Sequence, residues 1–301
     1  MSLSFNIIAL IGRGADERVA STMKGLAPHL AKRGVRVLVA NELEVDLPCE
    51  FVEQVPEAEL PKHADLIVAV GGDGTMLYAS HLVARHEVPV LGINRGRLGF
   101  LADVTPDAML RNMDEVLDGN FTREPRLLLA SRIGGNEGPE SERLALNDVV
   151  LQKSEAGRML EFETHVDGRF VNSHSSDGMI IASPTGSTAY ALSCNGPILQ
   201  PKLHALVLVP ISPHTLSDRP IVIPATQEVE IRMLERRETR AQVVCDGQLT
   251  ADLEAGASLH VSAARQSLGL IHPPGYDYYR TLRSKLQWGR GSSGRPGTRK
   301  G

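Results

Sequence analysis

A glycine-rich loop that directly follows an apolar strand most constrains how this chain can fold. The strand is predicted at Asp65 to Val70 and is apolar at every position after the first. Apolar residues on both faces are expected of a strand inside a parallel sheet that helices cover on both sides. The loop Gly71-Gly72-Asp73-Gly74-Thr75 comes next, and helical spacing then runs from Thr75 to Ala84. The sequence therefore predicts a strand, a loop and a helix inside an α/β domain.

The segments around this unit alternate between strands and helices in the same way. Gly34 stands where a helix C-cap would, and Pro106 lies at the start of another helical segment. Strands are predicted at Ile7 to Ile11, Val35 to Ala40 and Val88 to Ile93, and helices at Val19 to Leu30 and Pro106 to Leu117. This alternation predicts a doubly wound, Rossmann-like α/β fold.

The character of the sequence changes near Phe121, after which short strands and turns dominate. Leu160 to Val166, the turn Asp167-Gly168, and Phe170 to Ser173 predict a hairpin. Further strands are predicted at Ala205 to Pro210, Ile221 to Ile223, Val229 to Leu234, Ala241 to Cys245 and Ser258 to Ala263, and helices at Ser187 to Cys194 and Tyr276 to Gln287. We predict an α/β domain at 1–123, a β-rich domain with a closing helix at 124–288, and a tail at 289–301 whose composition favours disorder over an RNA-binding arm.

Composition limits the class of protein. The chain has 301 residues, of which 42% are hydrophobic, so a core can form without disulfides or metal. A formal charge of −4 argues against bulk attraction to nucleic acid or to an anionic membrane. Three widely spaced cysteines form no C-x-x-C pair, which favours a reducing compartment. Without a signal-peptide pattern or an apolar run near the roughly 20 residues of a membrane span, the prediction is a soluble, cytoplasmic protein.

Asp73 places a carboxylate in a glycine loop that is suited to bind phosphate. Glycines after a strand let backbone N–H groups approach a phosphate, and the start of the following helix adds a positive dipole end. A carboxylate beside a phosphate is repulsive unless a metal ion intervenes or the carboxylate accepts a proton from a nucleophile, and both cases belong to phosphoryl transfer. The alternative is a tight turn in which Asp73 or Thr75 caps the helix.

Three competing phosphate motifs are absent. Gly12-Arg13-Gly14 begins a dinucleotide fingerprint, but Glu17 occupies the position of its last glycine. The chain contains no Gly-Lys pair, so it has no Walker-type loop, and it has no protein-kinase loops. Phosphate transfer by this chain therefore requires a different design.

Polar residues also cluster in the second half of the chain. Ser183, Thr185, Ser187 and Thr188 surround Pro184 and Gly186, a pattern that favours several N–H and O–H donors for a nucleotide, although Thr185 or Ser187 alone would fit a helix N-cap. The pair Asn147-Asp148 interrupts an apolar run and fits either a turn or a ligand contact. Asp246-Gly247-Gln248 is interpreted as a hairpin turn, and Cys245 before it as a small buried residue.

Together these motifs resemble the bacterial NAD kinase family over nearly the whole chain. The match lies in Gly71 to Thr75, Asn147-Asp148, Ser176-Asp177-Gly178 and, most specifically, Pro184-Thr185-Gly186-Ser187-Thr188-Ala189-Tyr190. It extends to Gly92 to Gly96, Leu98 to Leu101, Pro213 to Ser217 and Ile271-His272-Pro273. The glycine loop alone is also similar to loops of lipid kinases and phosphofructokinases.

The resemblance implies that ATP phosphorylates the 2′-hydroxyl of the adenosine ribose of NAD to give NADP, with a divalent metal, usually Mg²⁺, held mainly through the ATP phosphates. It implies a β-rich second domain, an active site in the cleft between the domains, and a homodimer or homotetramer. Asp73 would accept the hydroxyl proton, beside nucleotide contacts from Gly71, Gly72, Gly74 and Thr75. Further substrate contacts implied are Asn147, Asp148, Arg158, Ser175, Asp177, Thr188, Ala189, Tyr190, Ala191, Leu192, Ser193 and Gln248. No role is expected for Tyr78.

Two other functions remain open on the sequence. A lipid kinase shares the glycine loop, but the polar segment Asn172 to Ser193 argues against an apolar entry surface. A dinucleotide sensor without catalysis would do better with a neutral or basic residue than with Asp73 beside a phosphate.

Overall fold

The computed structural model describes residues 3–12, 16–43, 45–48, 50–96, 99–134, 142–154, 159–215, 217–234 and 240–288. Two compact units can be distinguished in the chain. Unit 1 comprises the chain up to Ala79, Val88–Glu124 and the part from Leu270 onward, and unit 2 comprises Ser80–Glu87 and Pro125–Gly269. The closing helix, which the sequence placed with the second domain, is grouped here with unit 1; the predicted boundary at 123 and 124 stays a prediction.

Unit 1 is built on a parallel sheet. Its strands are β1 (Ile7–Gly12), β2 (Arg36–Ala40), β3 (Glu53–Val55), β4 (Leu66–Gly71) and β5 (Val90–Asn94). They are ordered β5-β4-β1-β2-β3, and Leu270 of a long later strand pairs in parallel with Val90. The helices are α1 (Glu17–Lys32), α2 (Leu60–His63), α3 (Asp73–Val83), α4 (Met109–Leu117) and α6 (Tyr278–Leu286), of which α3 continues into unit 2 from Ser80.

The burial pattern explains why these segments form this sheet. Every residue of β4 and of β5 is buried, as expected for central strands covered on both faces. Helix α1 starts at the N-cap Asp16, whose carboxylate accepts the N–H of Arg18, and it buries Val19, Met23, Leu26 and Leu30 at helical spacing. These side chains join one apolar cluster with β1, β2 and β4. The predicted doubly wound α/β fold is confirmed.

Unit 2 is β-rich and contains two sheets. Its strands are β6 (Thr122–Ile133, from Pro125 on), β7 (Arg143–Ala145), β8 (Asp148–Lys153), β9 (Leu160–Val166), β10 (Arg169–Ser176), β11 (Gly178–Ala182), β12 (Ala205–Ile211), β13 (Ile221–Pro224), β14 (Val229–Met233), β15 (Ala241–Cys245), β16 (Gln248–Leu253) and β17 (Ser258–His272, up to Gly269). One sheet has the order β10-β9-β14-β17, with β6 on β17 and β7 on β6; the other has the order β13-β12-β11-β8-β15-β16. Apolar side chains from both sheets, such as Phe162 and Met179, form one core.

Two local predictions in unit 2 have different outcomes. The predicted hairpin is confirmed, because β9 and β10 pair antiparallel across Asp167 and Gly168, both at positive φ. The single helix predicted from Ser187 to Cys194 is wrong. A 3₁₀ turn at Gly186–Thr188 is separated from α5 (Tyr190–Ser193) by Ala189, which has a non-helical conformation. The Ser187 hydroxyl donates to Pro184 O at 2.7 Å and accepts the Leu199 N–H at 2.9 Å, and such bonds compete with a regular helix.

No helix within the described residues is long and apolar enough to cross a membrane.

Candidate functional site

The glycine loop of unit 1 lies at the carboxyl end of β4, where α3 begins. Gly72 O accepts the N–H of Thr75 at 3.0 Å and of Met76 at 3.1 Å, which starts the helix one residue after Gly72. Gly71 O accepts the N–H of Arg95 at 2.8 Å, so the neighbouring strand end is joined to the loop. Gly74 is exposed. The carboxyl edge of a parallel sheet is where ligands bind in open α/β folds.

The Asp73 carboxylate is held by three consecutive backbone amides. Oδ2 accepts the N–H of Phe100 at 2.9 Å, and Oδ1 accepts those of Leu101 at 3.0 Å and Ala102 at 3.4 Å. Asp73 and Thr75 lie inside the first turn of α3, so neither is its N-cap. The alternative in which one of them merely caps the helix is therefore wrong.

Gly99 permits this close approach. A Cβ built at Gly99 would lie 1.8 Å from Asp73 Oδ1, far inside van der Waals contact. The segment Phe100–Ala102 can donate to Asp73 only because no side chain stands between them.

In unit 2, Asn147 and Asp148 lie at the start of β8, beside the ends of the neighbouring strands β11 and β15. β8 starts at Asp148, and it runs antiparallel to β11 and β15, so both neighbours end beside its start. Asn147 O accepts the Ser183 N–H at 2.9 Å, and Asp148 O accepts the Asp246 N–H at 3.0 Å. A Cβ at Gly186 would lie 2.0 Å from Asn147 O, so only glycine fits there.

Asp246 is the central polar group of this region, and the sequence interpreted it only as part of a turn. The turn is present, with Asp246 and Gly247 both at positive φ. The Asp246 side chain has no exposed surface and its oxygens accept the N–H groups of Leu146 at 2.7 Å, Asn147 at 2.7 Å and Asp148 at 3.1 Å. His81 Nε2 lies 2.7 Å from Asp246 Oδ2. Nothing in the local sequence marks the role of Asp246 or of His81.

A cavity of about 480 Å³ opens beside this network. It brings together four of the predicted contact residues: Asn147, Asp148, Ala189 and Tyr190. The other lining residues are Val150, Gln152, Gln242, Val244, Asp246, Gly247 and Leu249.

Two side chains that line the cavity have pKa values above their ordinary values. Burial, and then the charge of Asp246, raise the pKa of Asp148 from 3.8 to about 7. Burial also raises the pKa of Tyr190, so its hydroxyl stays protonated at neutral pH. Near pH 7 the cavity therefore offers a hydroxyl donor and a carboxyl group that exists in both protonation states.

The hydroxyl cluster around Gly186 does not present its protons to a ligand as predicted. Ser183 and Ser187 are completely buried, and Ser183 Oγ donates to Leu146 O at 2.6 Å. Thr188 Oγ1 donates to Thr185 O at 3.2 Å. These hydroxyls shape the loop, and the interpretation of Ser183 and Ser187 as ligand donors is wrong.

The remaining predicted contacts do not line the cavity of Asn147 and Asp148. Asp177 pairs with Lys153 at 2.5 Å, and Ser175 lies on β10. Gln248 lines a neighbouring cavity of about 430 Å³ with His81 and Arg143. Ala191 belongs to the apolar core, Ser193 is exposed, and Leu192 and Thr188 are half-buried. Arg158 lies outside the described residues.

Among the described residues, no group of three or more His, Cys, Asp or Glu side chains is arranged to hold a metal ion. The free cysteines described are Cys194 and Cys245, and Cys245 is buried as predicted.

Comparison with known proteins gives the class of the fold and then the family. A model of the ATP-NAD kinase N-terminal domain matches residues 8–121, and one of the ATP-NAD kinase C-terminal domain matches residues 146–273. These matches define a two-domain nucleotide kinase. An NAD kinase of Pseudomonas putida (strain W619) is 43% identical over 291 residues, 97% of this chain and 98% of the relative. An NAD kinase of Azotobacter vinelandii is 44% identical over 285 residues, 95% and 97% of the two chains. The chain belongs to the NAD kinase family.

Solved structures agree with this fold. The crystal structure of yeast NADH kinase complexed with NADH superposes with a TM-score of 0.87 at 24% identity, covering 97% of this chain and 89% of the other. An NAD kinase from Archaeoglobus fulgidus in complex with ATP gives a TM-score of 0.73 at 26% identity, covering 93% and 98%. The predicted α/β domain followed by a β-rich domain is confirmed.

Proposed function

We propose that this protein transfers the γ-phosphoryl group of ATP to the 2′-hydroxyl of the adenosine ribose of NAD, giving NADP. The observation that carries the proposal is the placement of the Asp73 carboxylate at the glycine loop, in a chain of the NAD kinase family. Family membership gives the reaction class, and Asp73 gives it a proton acceptor. Gly71, Gly72, Gly74 and Thr75 are proposed to contact the phosphates.

The hydrogen bonds of Asp73 point to the oxygen that takes the proton. An ionised carboxylate has about four lone-pair directions. Oδ1 accepts two amides and Oδ2 accepts one, so Oδ2 keeps an open direction. Asp73 Oδ2 is therefore the proposed base for the ribose hydroxyl, and the three amides fix its orientation.

The cavity of unit 2 is proposed to bind part of the dinucleotide. Its volume is in the range of ordinary ligand pockets, and Asn147, Asp148 and Tyr190 offer hydrogen-bonding groups among apolar walls. Further contacts with the substrates are proposed for Ser175, Asp177, Thr188, Gln248, Arg158 and the helix residues Ala191 to Ser193.

A divalent ion fits this protein as part of the nucleotide substrate. Mg²⁺ is usually bound through one or two carboxylates and substrate phosphates rather than by a cage of protein ligands. Three amides already occupy the Asp73 carboxylate, so we propose that the ATP phosphates carry most of the Mg²⁺ coordination. The ion would neutralise charge on the phosphates, while the chain itself orients the acceptor and takes its proton.

A product assay tests the function. The protein is incubated with Mg²⁺ and ATP or polyphosphate, and with NAD, NADH or a lipid alcohol as acceptor. NADP formed from NAD and ATP is the expected result. Phosphorylated lipid would favour the lipid-kinase alternative, and calorimetric binding of NAD without any NADP would favour a sensor.

We also propose a cytoplasmic homodimer or homotetramer. Phe170, 58% exposed, and Val171, 42% exposed, lie on the edge strand β10, and exposed apolar side chains on an edge strand favour pairing with another chain. Light scattering coupled to size exclusion gives the mass in solution, and a monomer at all concentrations would contradict this part.

A further inference from the structure

A buried contact between His272 and Asp103 in unit 1 lies next to the segment that donates to Asp73. His272 is the last residue of β17, its side chain is 1% exposed, and its Nδ1 lies 2.9 Å from Asp103 Oδ2. The ring stacks on Tyr276, with centroids 3.7 Å apart and planes 7° apart. The hydrogen bond to Asp103 and the stacking on Tyr276 together fix the position and orientation of the imidazole.

Asp103 lies between a residue that is hydrogen-bonded to the sheet and the three residues whose amides donate to Asp73. The residue after it, Val104, exchanges backbone hydrogen bonds with β5: Asn94 N–H donates to Val104 O at 2.8 Å, and Val104 N–H donates to Gly92 O at 3.2 Å. The residues before it, Phe100–Ala102, present their amides to Asp73. Asp103 is therefore the link between the sheet and the amides.

The Asp73 carboxylate depends on this segment for its orientation. Among the described residues, the hydrogen bonds to its oxygens come from Phe100, Leu101 and Ala102. A shift of the segment would carry the carboxylate with it or break these bonds. A misplacement of about 1 Å at a reacting group can reduce the rate about 100-fold.

We infer that His272 and Asp103 are positioning residues, which hold the Phe100–Ala102 amides in the register that aims Asp73 Oδ2 at the ribose hydroxyl. The inference rests on the proposed role of Asp73 as base. His272 is buried and bonds to Asp103, and the described hydrogen bonds to the Asp73 carboxylate come from the three amides, so the effect of His272 passes through Asp103 and these amides. A loss at His272 should therefore appear in kcat and not in NAD binding.

The test combines substitutions at His272 with one at Asp73. We expect His272→Ala to lower kcat about 10- to 100-fold while KM for NAD stays within about twofold. His272→Asn keeps a side-chain N–H that can donate to Asp103, and it should recover most of the lost kcat. In an Asp73→Asn background, His272→Ala should lower kcat by less than about threefold, because residues that act through one group are not additive.

A second pair of variants covers the case in which His272→Ala does not fold. Asp103→Asn keeps an acceptor for the imidazole N–H, and Asp103→Leu removes it at similar size. We expect Asp103→Asn to stay within about fivefold of the parent kcat and Asp103→Leu to behave like His272→Ala. Equal kcat for the two variants would overturn the inference.

A matched control lies in the same unit. His29 Nε2 lies 2.9 Å from Asp114 Oδ1, and this ion pair joins α1 to α4. His29→Ala should leave kcat unchanged, even if it lowers the thermal midpoint.

The outcomes separate the two proposals. Normal turnover of Asp73→Asn alone would remove the proposed base. Slow turnover of Asp73→Asn with a full, multiplicative loss from His272→Ala would keep the base and overturn only the positioning role. A rise in KM for NAD at unchanged kcat in His272→Ala would also overturn it.

Discussion

The Asp73 carboxylate in unit 1 and the Asp246 carboxylate in unit 2 are held in the same way, but they differ in the number of their partners and in their exposure. Each carboxylate accepts three consecutive backbone amides, residues 100–102 for Asp73 and residues 146–148 for Asp246. Asp246 adds His81 as a fourth partner and has no exposed surface, so all of its lone-pair directions are used. Asp73 is partly exposed and keeps one direction open. A carboxylate whose lone-pair directions all accept hydrogen bonds holds the surrounding backbone in place. A carboxylate with one open direction can also accept a proton.

The largest expected effect comes from Asp73→Asn. The amide cannot accept the ribose proton, and general-base catalysis is worth about 10²- to 10⁴-fold. We expect kcat to fall by at least about 10²-fold, with KM for NAD little changed, as measured by initial rates of NADP formation. Circular dichroism verifies that the variant is folded, and near-normal turnover would remove the distinction between the two carboxylates.

Asp246→Asn should act on stability instead. The amide of the Asn side chain places a donor against backbone N–H groups at a position where the side chain is buried, so at least one of the buried groups loses its partner. We expect the free energy of unfolding in urea to fall by about 3 kcal/mol. A loss of activity without a loss of stability would show that Asp246 takes part in the reaction.

The pKa of Asp148 gives a pH-dependent difference. Because the folded state raises this pKa from 3.8 to about 7, the folded state binds more protons than the unfolded state between these values. Its contribution to stability is therefore complete below about pH 4 and is lost as pH rises through about 7. Asp148→Asn should remove this loss, so its unfolding free energy relative to the parent should rise by about 4 kcal/mol between pH 4 and pH 8. Parallel curves of unfolding free energy against pH would contradict the assignment.

The smallest effect is expected at Ser187. Its buried hydroxyl donates to Pro184 O and accepts the Leu199 N–H, so Ser187→Ala should lower the free energy of unfolding by about 1 kcal/mol. KM for NAD should change less than about twofold in steady-state assays. A tenfold rise in KM would restore this hydroxyl as a ligand contact.

Local patterns predicted the fold where local forces decide it. The strand expected at Asp65 to Val70 is β4, shifted by one residue, because apolar runs and glycine stops act within a few positions. The hairpin at Asp167 and Gly168 follows from the turn preference of Asp-Gly. The single helix expected at Ser187 does not form, because the Ser187 hydroxyl is bonded to the backbone N–H of Leu199, twelve positions away in the sequence.

The site was predictable only in part for the same reason. The family resemblance implies contacts at Asn147, Asp148, Ala189 and Tyr190, and these residues meet in one cavity. Asp246 was missed because its partners lie 98 to 100 positions earlier, and a turn motif carries no sign of them. The binding roles of the residues in this cavity remain predictions.

The crowding at Gly99 has a consequence for how this chain tolerates random mutation. Every codon change that adds a side chain there would push on the Asp73 carboxylate, whereas a Cβ at Gly72 or Gly74 meets no atom within 4 Å among the described residues. In a selection for growth on a library of variants, loss at Gly99 would report on Asp73, and loss at Gly72 or Gly74 would report on the proposed phosphate contact. The three glycines would thus separate enzyme geometry from substrate fit in a single genetic screen.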